Sequence, residues 1–164
     1  SDLEEMLYEG YGPHGVAILV ETATDNGTRT VANVRSHFNK GGGTLGNSGS
    51  VSFQFKKMGV FKLNPEGLNP DDLELELIDF GLEELGESTD DAGNNIIVLR
   101  TAFTDFGNMQ KALEDRNMTA ISAEIEWIPG TTVPVSDTQA DDISKLIERL
   151  EQDEDVSKVF HNMA

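Results

Sequence analysis

Ala140-Asp-Asp-Ile143-Ser-Lys-Leu146-Ile147-Glu-Arg-Leu150, followed by Val156-Ser-Lys-Val-Phe160, is the stretch on which the fold turns. At about 100° per residue, Ala140, Ile143, Leu146, Ile147 and Leu150 fall on one side of a helix. Val156–Phe160 reads as a short strand after it. A helix and a strand at the end of a chain cannot bury these faces against each other alone. They need partners, and residues 130–138 just before them are a Thr/Pro/Ser-rich linker. The partners must lie further back.

Immediately before the linker stands a unit that is complete by itself. Val60–Leu63 is a predicted strand. Asn69-Pro70 then starts a helix, with Pro at its first position and Asp71 and Asp72 at its positive end, and Gly81 stops it. Leu82–Glu87 and Asn95–Thr101 form a hairpin around Asp90-Asp91-Ala92-Gly93. Thr104 opens a helix whose apolar side is Phe106, Met109, Ala112 and Leu113. Ile121, Ala123, Ile125 and Trp127 alternate along a strand that ends at Pro129. Strand–helix–strand–strand–helix–strand is the ferredoxin-like order. If the tail returns to the beginning of the chain, the unit there gains the same order.

There, Val16–Glu21 is a short apolar run of branched residues, the signature of a buried strand. Asp25-Asn26-Gly27 is a turn and Thr28 is the expected cap of a helix. Val31, Val34 and Phe38 share the inner face of that helix, and Arg29, Asn33, Ser36 and Lys40 the opposite one. Gly41-Gly42-Gly43 ends it, and Gly46 and Gly49 bracket a tight loop before Val51, Phe53 and Phe55 alternate along a strand. Tyr8-Glu9-Gly10-Tyr11-Gly12-Pro13-His14-Gly15 is too rich in glycine for a helix or a long strand, and is expected to be a shaped connector or a contact surface. Adding the tail makes this unit strand–helix–hairpin–helix–strand. The fold class is therefore α+β: two ferredoxin-like α/β units, the second (58–128) inserted into the first (1–57 plus 129–164).

Composition narrows the function. The chain has 164 residues, no cysteine and a net charge of −18. Lack of cysteine removes disulfides, thiolate metal sites and Cys nucleophiles. No apolar run reaches the length of a membrane span, no signal peptide is visible, and a cytoplasmic location without a membrane partner is expected. The opening Ser1-Asp2-Leu3 lacks an initiator Met, which suggests a missing N-terminal piece. Charge is uneven: residues 1–63 hold six acids and six bases, the remainder 24 acids and six bases. The acidic part reads as a solvated surface or as a docking face for a basic protein partner.

Catalysis finds no footing. Gly46-Asn47-Ser48-Gly49-Ser50 lacks the closing Gly of a nucleophile elbow. Gly41 and Gly46 have P-loop spacing, but Asn47-Ser48 follows where Lys-Ser/Thr is required. His14, His37 and His161 fit no common metal spacing. No catalytic residue, cofactor or metal is predicted. The basic and polar groups on one helix and beyond it, Arg29, Asn33, Arg35, Ser36 and Lys40 with Lys56 and Lys57, are the candidate contacts to a nucleic-acid backbone. They can neutralise phosphate but show no base-reading arrangement.

Tyr8 through Ala17, Thr24-Asp25-Asn26, Arg29-Thr30-Val31-Ala32, Val34-Arg35 and Phe38-Asn39-Lys40, then Gly42-Gly43, Leu45-Gly46 and Gly49-Ser50-Val51, together resemble the YebC/PmpR family, which includes the mitochondrial translational activator of cytochrome c oxidase. The likeness is dense over residues 8–62 and looser through Ile128-Pro129 and Val156–Asn162. It implies the second and third of three domains, the third inserted into the second, with a basic helical first domain preceding the Tyr-Glu-Gly-Tyr-Gly-Pro signature. His14 departs from the family pattern, where Gly is usual. The resemblance implies a DNA-binding transcriptional regulator or, alternatively, a ribosome-associated translation factor that binds RNA.

Overall fold

The structure is a computed structural model and describes residues 2–164. It divides into two compact units: residues up to Lys56 together with Trp127–Ala164, and Lys57–Glu126. In chain order the elements are β1 (Glu4–Tyr11), β2 (Ala17–Thr24), α1 (Gly27–Lys40), β3 (Thr44–Leu45), β4 (Phe55–Leu63), α2 (Pro70–Leu77), β5 (Leu82–Thr89), β6 (Asn95–Ala102), α3 (Phe106–Asp115), β7 (Ser122–Pro129), α4 (Asp137–Glu151) and β8 (Val156–His161). Among the described residues no helix is long and apolar enough to cross a membrane.

The units carry separate four-stranded sheets, ordered β3-β1-β2-β8 and β5-β6-β4-β7. Both follow one layout. Two strands joined across a helix, β2 and β3 in one sheet and β4 and β5 in the other, are separated by a single antiparallel strand. In the inserted unit that separating strand is β6, which follows β5 through a hairpin. In the discontinuous unit it is β1, which precedes β2. The sheet is ferredoxin-like in both, but the hairpin of the first unit lies at its start.

This corrects two local readings. Val51, Phe53 and Phe55 do not alternate along a strand: Ser52–Gln54 is a 3-10 turn, and β4 runs unbroken from Phe55 through the separately expected Val60–Leu63. The place expected for that strand belongs to β1, which includes Tyr8–Tyr11, a stretch read as connector. Glycine permits strand pairing here. A Cβ on Gly10 would stand 2.5 Å from the Thr44 carbonyl oxygen and 2.8 Å from the Phe38 ring, so only hydrogen lets β3 and α1 close onto β1.

The tail packs into the first unit. Val34 and Phe38 of α1, Ile18 and Val20 of β2, and Ile143, Leu146 and Leu150 of α4 share one buried cluster. Each fully buried side chain of this size contributes about 1.5–3 kcal/mol relative to exposure. Ser136 caps α4 with a complete capping box through Gln139. β8 pairs antiparallel with β2, and the buried Asn162 accepts the Ala17 N–H through Oδ1 at 2.8 Å. The other face of the sheet buries Ala17, Leu19, Val51 and Phe55. In the inserted unit Phe61, Leu77, Ile97, Leu99 and Met109 centre the core. Asn69 caps α2 by accepting the Asp72 N–H, and Gly81 ends the segment at φ 93°, both as the sequence predicts.

Candidate nucleic-acid interface

α1 is set by its cap and its apolar stripe. Asn26, and not the expected Thr28, is the N-cap: its Oδ1 accepts the Arg29 N–H at 3.1 Å. Thr30, Val34 and Phe38 are buried, which turns the polar residues outward. That outer arc has two different flanks. Arg29, Asn33 and His37 recur every four residues and line a cleft of about 550 Å³, facing Arg149 and the acidic end of α4 at Asp153–Asp155. About 120° round the helix from Arg29, Arg35 lies on the flank away from that cleft.

Arg29 is held within the molecule. Its guanidinium grips Asp155 with Nη2 at 2.9 and 3.0 Å and Nε at 3.2 Å, and also reaches Asp25 at 3.3 Å. The Thr30 hydroxyl donates to Asp155 at 2.9 Å. That bond, with the Arg29 contacts, holds the Asp155 carboxyl below the usual carboxylate range, and bonding to Asp155 raises Arg29 in turn. Asn33 is exposed beside this network and Ser36 is half-buried. Arg35 and Lys40 are exposed and form no salt bridge among the described residues. Lys56 is exposed at the start of β4, and Lys57, in the inserted unit, places Nζ 4.9 Å from the centre of the Phe103 ring. The helix face thus splits into one residue compensated by carboxylates and two that are not.

The glycine loop after α1 does gather backbone N–H groups around an anion, but the anion is internal. Glu9, 2% exposed on β1, accepts from the N–H groups of Gly49 at 2.8 Å, Val51 at 2.8 Å and Ser52 at 2.6 Å. Burial would raise its carboxyl; the three N–H bonds outweigh burial and hold it below the ordinary value. The nest needs no phosphate because Glu9 fills it. Sequence reading grouped Glu9 with the connector. Its signal was a single carboxylate opposite a loop whose N–H groups had no other acceptor.

The histidines make pairs, not a catalytic relay. His37 Nε2 lies 2.9 Å from Asp153, and its enclosed Nδ1 has no partner. His14 Nε2 lies 2.9 Å from Asp142 of α4. His161 Nδ1 accepts the Met163 N–H, and burial lowers its pKa. Among the described residues no group of three or more His, Cys, Asp or Glu could hold a metal ion.

The profile described as "TACO1/YebC second and third domain" matches residues 3–163. The chain belongs to the TACO1/YebC family. A "probable transcriptional regulatory protein" of Anaeromyxobacter dehalogenans is 57% identical over 161 residues, spanning 98% of this chain and 67% of that protein. Another of the same description, from Cytophaga hutchinsonii, is 57% identical over all of this chain and 67% of its own length. The crystal structure of a conserved hypothetical protein from Aquifex aeolicus superposes on the whole chain and 66% of its own, with a TM-score of 0.83 and 32% identity. The chain thus spans about two thirds of the length of these TACO1/YebC relatives. His14 gains its explanation against the family pattern: it sits at φ 65°, the left-handed region glycine enters freely, and its ring is tied to Asp142.

Proposed function

We propose that this chain is part of a non-catalytic, nucleic-acid-binding regulator of gene expression, acting in transcription through contacts to the DNA backbone. The observation that supports the reading is the pair Arg35 and Lys40. In a chain of charge −18 both remain exposed and form no salt bridge among the described residues, Arg35 on the flank away from the cleft. The naming of close relatives as transcriptional regulatory proteins supplies the biological setting.

Arg29 is set aside as a contact because its charge is already answered by Asp155 and Asp25. With Arg35 and Lys40 as contacts, binding to duplex DNA has a log–log salt slope of about −1.8, at ~0.9 per phosphate. Fluorescence anisotropy with a promoter duplex, a random duplex and a structured RNA at one salt concentration tests the proposal. A combined Arg35→Ala and Lys40→Ala variant is expected to weaken binding uniformly across duplex sequences and to flatten the slope by about 2. Indistinguishable affinity for promoter and random duplex would overturn selective transcriptional control. Preference for the RNA would reassign the protein to translation.

A further inference from the structure

Residues 26–65 contain no Asp or Glu, although the chain carries 30 such residues, and they hold Arg29, Arg35, Lys40, Lys56, Lys57 and Lys62. Within this acid-free stretch stands Phe53, 75% exposed. A large aromatic side chain so open to water is expected on a floppy tip, yet the backbone around it is fixed. Ser52 N–H is bonded to the buried Glu9. Gln54 N–H reaches the Val51 carbonyl at 3.1 Å, and the Gln54 carbonyl accepts from Gly130 N–H at 2.9 Å. The Gln54 side-chain amide donates to the hydroxyl of Tyr11, a second exposed aromatic, at 2.8 Å. The three-residue turn therefore presents a ring on a rigid mount.

We infer that Phe53 is a stacking platform for an unpaired nucleobase, with Lys40, before the loop in sequence, supplying backbone charge. This rests on the nucleic-acid reading above and adds a site to it. An aromatic face accepts any base, and the stretch of chain that carries the ring brings no carboxylate of its own against the phosphates on either side of that base. In a duplex the base faces are occupied by their neighbours, so the site takes single-stranded segments. The Glu9 nest gives the platform its preorganisation, since the ring is already placed before the ligand arrives.

The test uses the 164-residue chain with fluorescein-labelled oligo(U) and oligo(dT), and with a blunt duplex of equal length. Phe53→Ala is expected to weaken single-strand binding roughly 5- to 150-fold, the range for loss of one stacked base, while duplex binding and the salt slope stay unchanged. The ring is largely in water, so the thermal midpoint should also stay unchanged. Phe53→Trp is expected to retain affinity and to show indole quenching by the single strands but not by the duplex. Equal single-strand affinity of the parent and Phe53→Ala, or equal quenching by the duplex, would overturn the stacking site while leaving backbone binding intact. Failure of the parent chain to bind any of the three probes would overturn both readings.

Discussion

A carboxylate that loses almost all of its water needs charge or N–H groups around it, and Glu9 has three N–H groups from one loop. Glu9→Gln keeps the shape but turns an amide NH2 toward at least one of those donors. The expected loss is about 1–3 kcal/mol, seen as a lower urea midpoint with an unchanged slope. Glu9→Asp is expected to do no better, because the shorter side chain cannot span from β1 to the loop. His14 behaves differently. His14→Gly relieves a left-handed φ of 65° but gives up the contact to Asp142. Little of this was legible beforehand. A charged residue flanked by Tyr8 and Gly10 carries no periodic signal, and its partners lie some 40 positions later in a loop without a regular pattern.

At the scale of elements, α1 and α4 were legible from an apolar stripe of helical period, although the cap of α1 is Asn26 and not Thr28. α2 was legible from Asn69-Pro70 at its start and Gly81 after its end. β1 was not legible, because Glu4–Tyr11 is largely exposed at its start and interrupted by Gly10 near its end. Equally hidden was the convergence of α1 on the acidic end of α4, which only the closed unit creates. That contact makes the discontinuous unit acid-sensitive. Asp155 and Glu9 have folded pKa values below their ordinary ones, and so has His161. At intermediate pH the unfolded chain binds the more protons, so their stabilisation is complete above the ordinary values and is lost as pH falls. Thermal midpoints are expected to decline first below about pH 6.5 through His161, then more steeply below about pH 4.5 through the two carboxylates. Asp155→Asn should remove part of the second step. It should also speed amide exchange at the start of α1, and it should strengthen binding to duplex DNA at low salt by releasing Arg29. No gain in affinity would mean that Arg29 faces the cleft whatever its partner.

For the molecule as a whole, the proposed nested plan rests on a shortage: α4 and β8 have no partners near them in sequence. The boundaries are proposed, not observed as independent folding. Residues 57–126 hold a core of their own, so this fragment is expected to unfold cooperatively by itself in urea. Ending the chain at Gly130 should have the opposite effect on the first unit. Val34 and Phe38 would lose Ile143, Leu146 and Leu150, and β2 would lose β8. Two-dimensional NMR of that truncation should show dispersed resonances for the inserted unit and collapsed ones for residues 2–56. Dispersed resonances throughout would show that α4 is dispensable.

The pairing of Val20 with Val159 also fixes an order of events during synthesis. β2 emerges before the inserted unit and waits exposed along one side until residues 156–161 have been translated. The intervening unit, whose partners are all close in sequence, can collapse in the meantime. A contact of such long sequence separation is entropically slow to form and leaves a bare strand edge that other chains can capture. Slow codons or stalling between residues 130 and 155 would prolong that interval, and nascent chains arrested there should be the species most readily bound by chaperones.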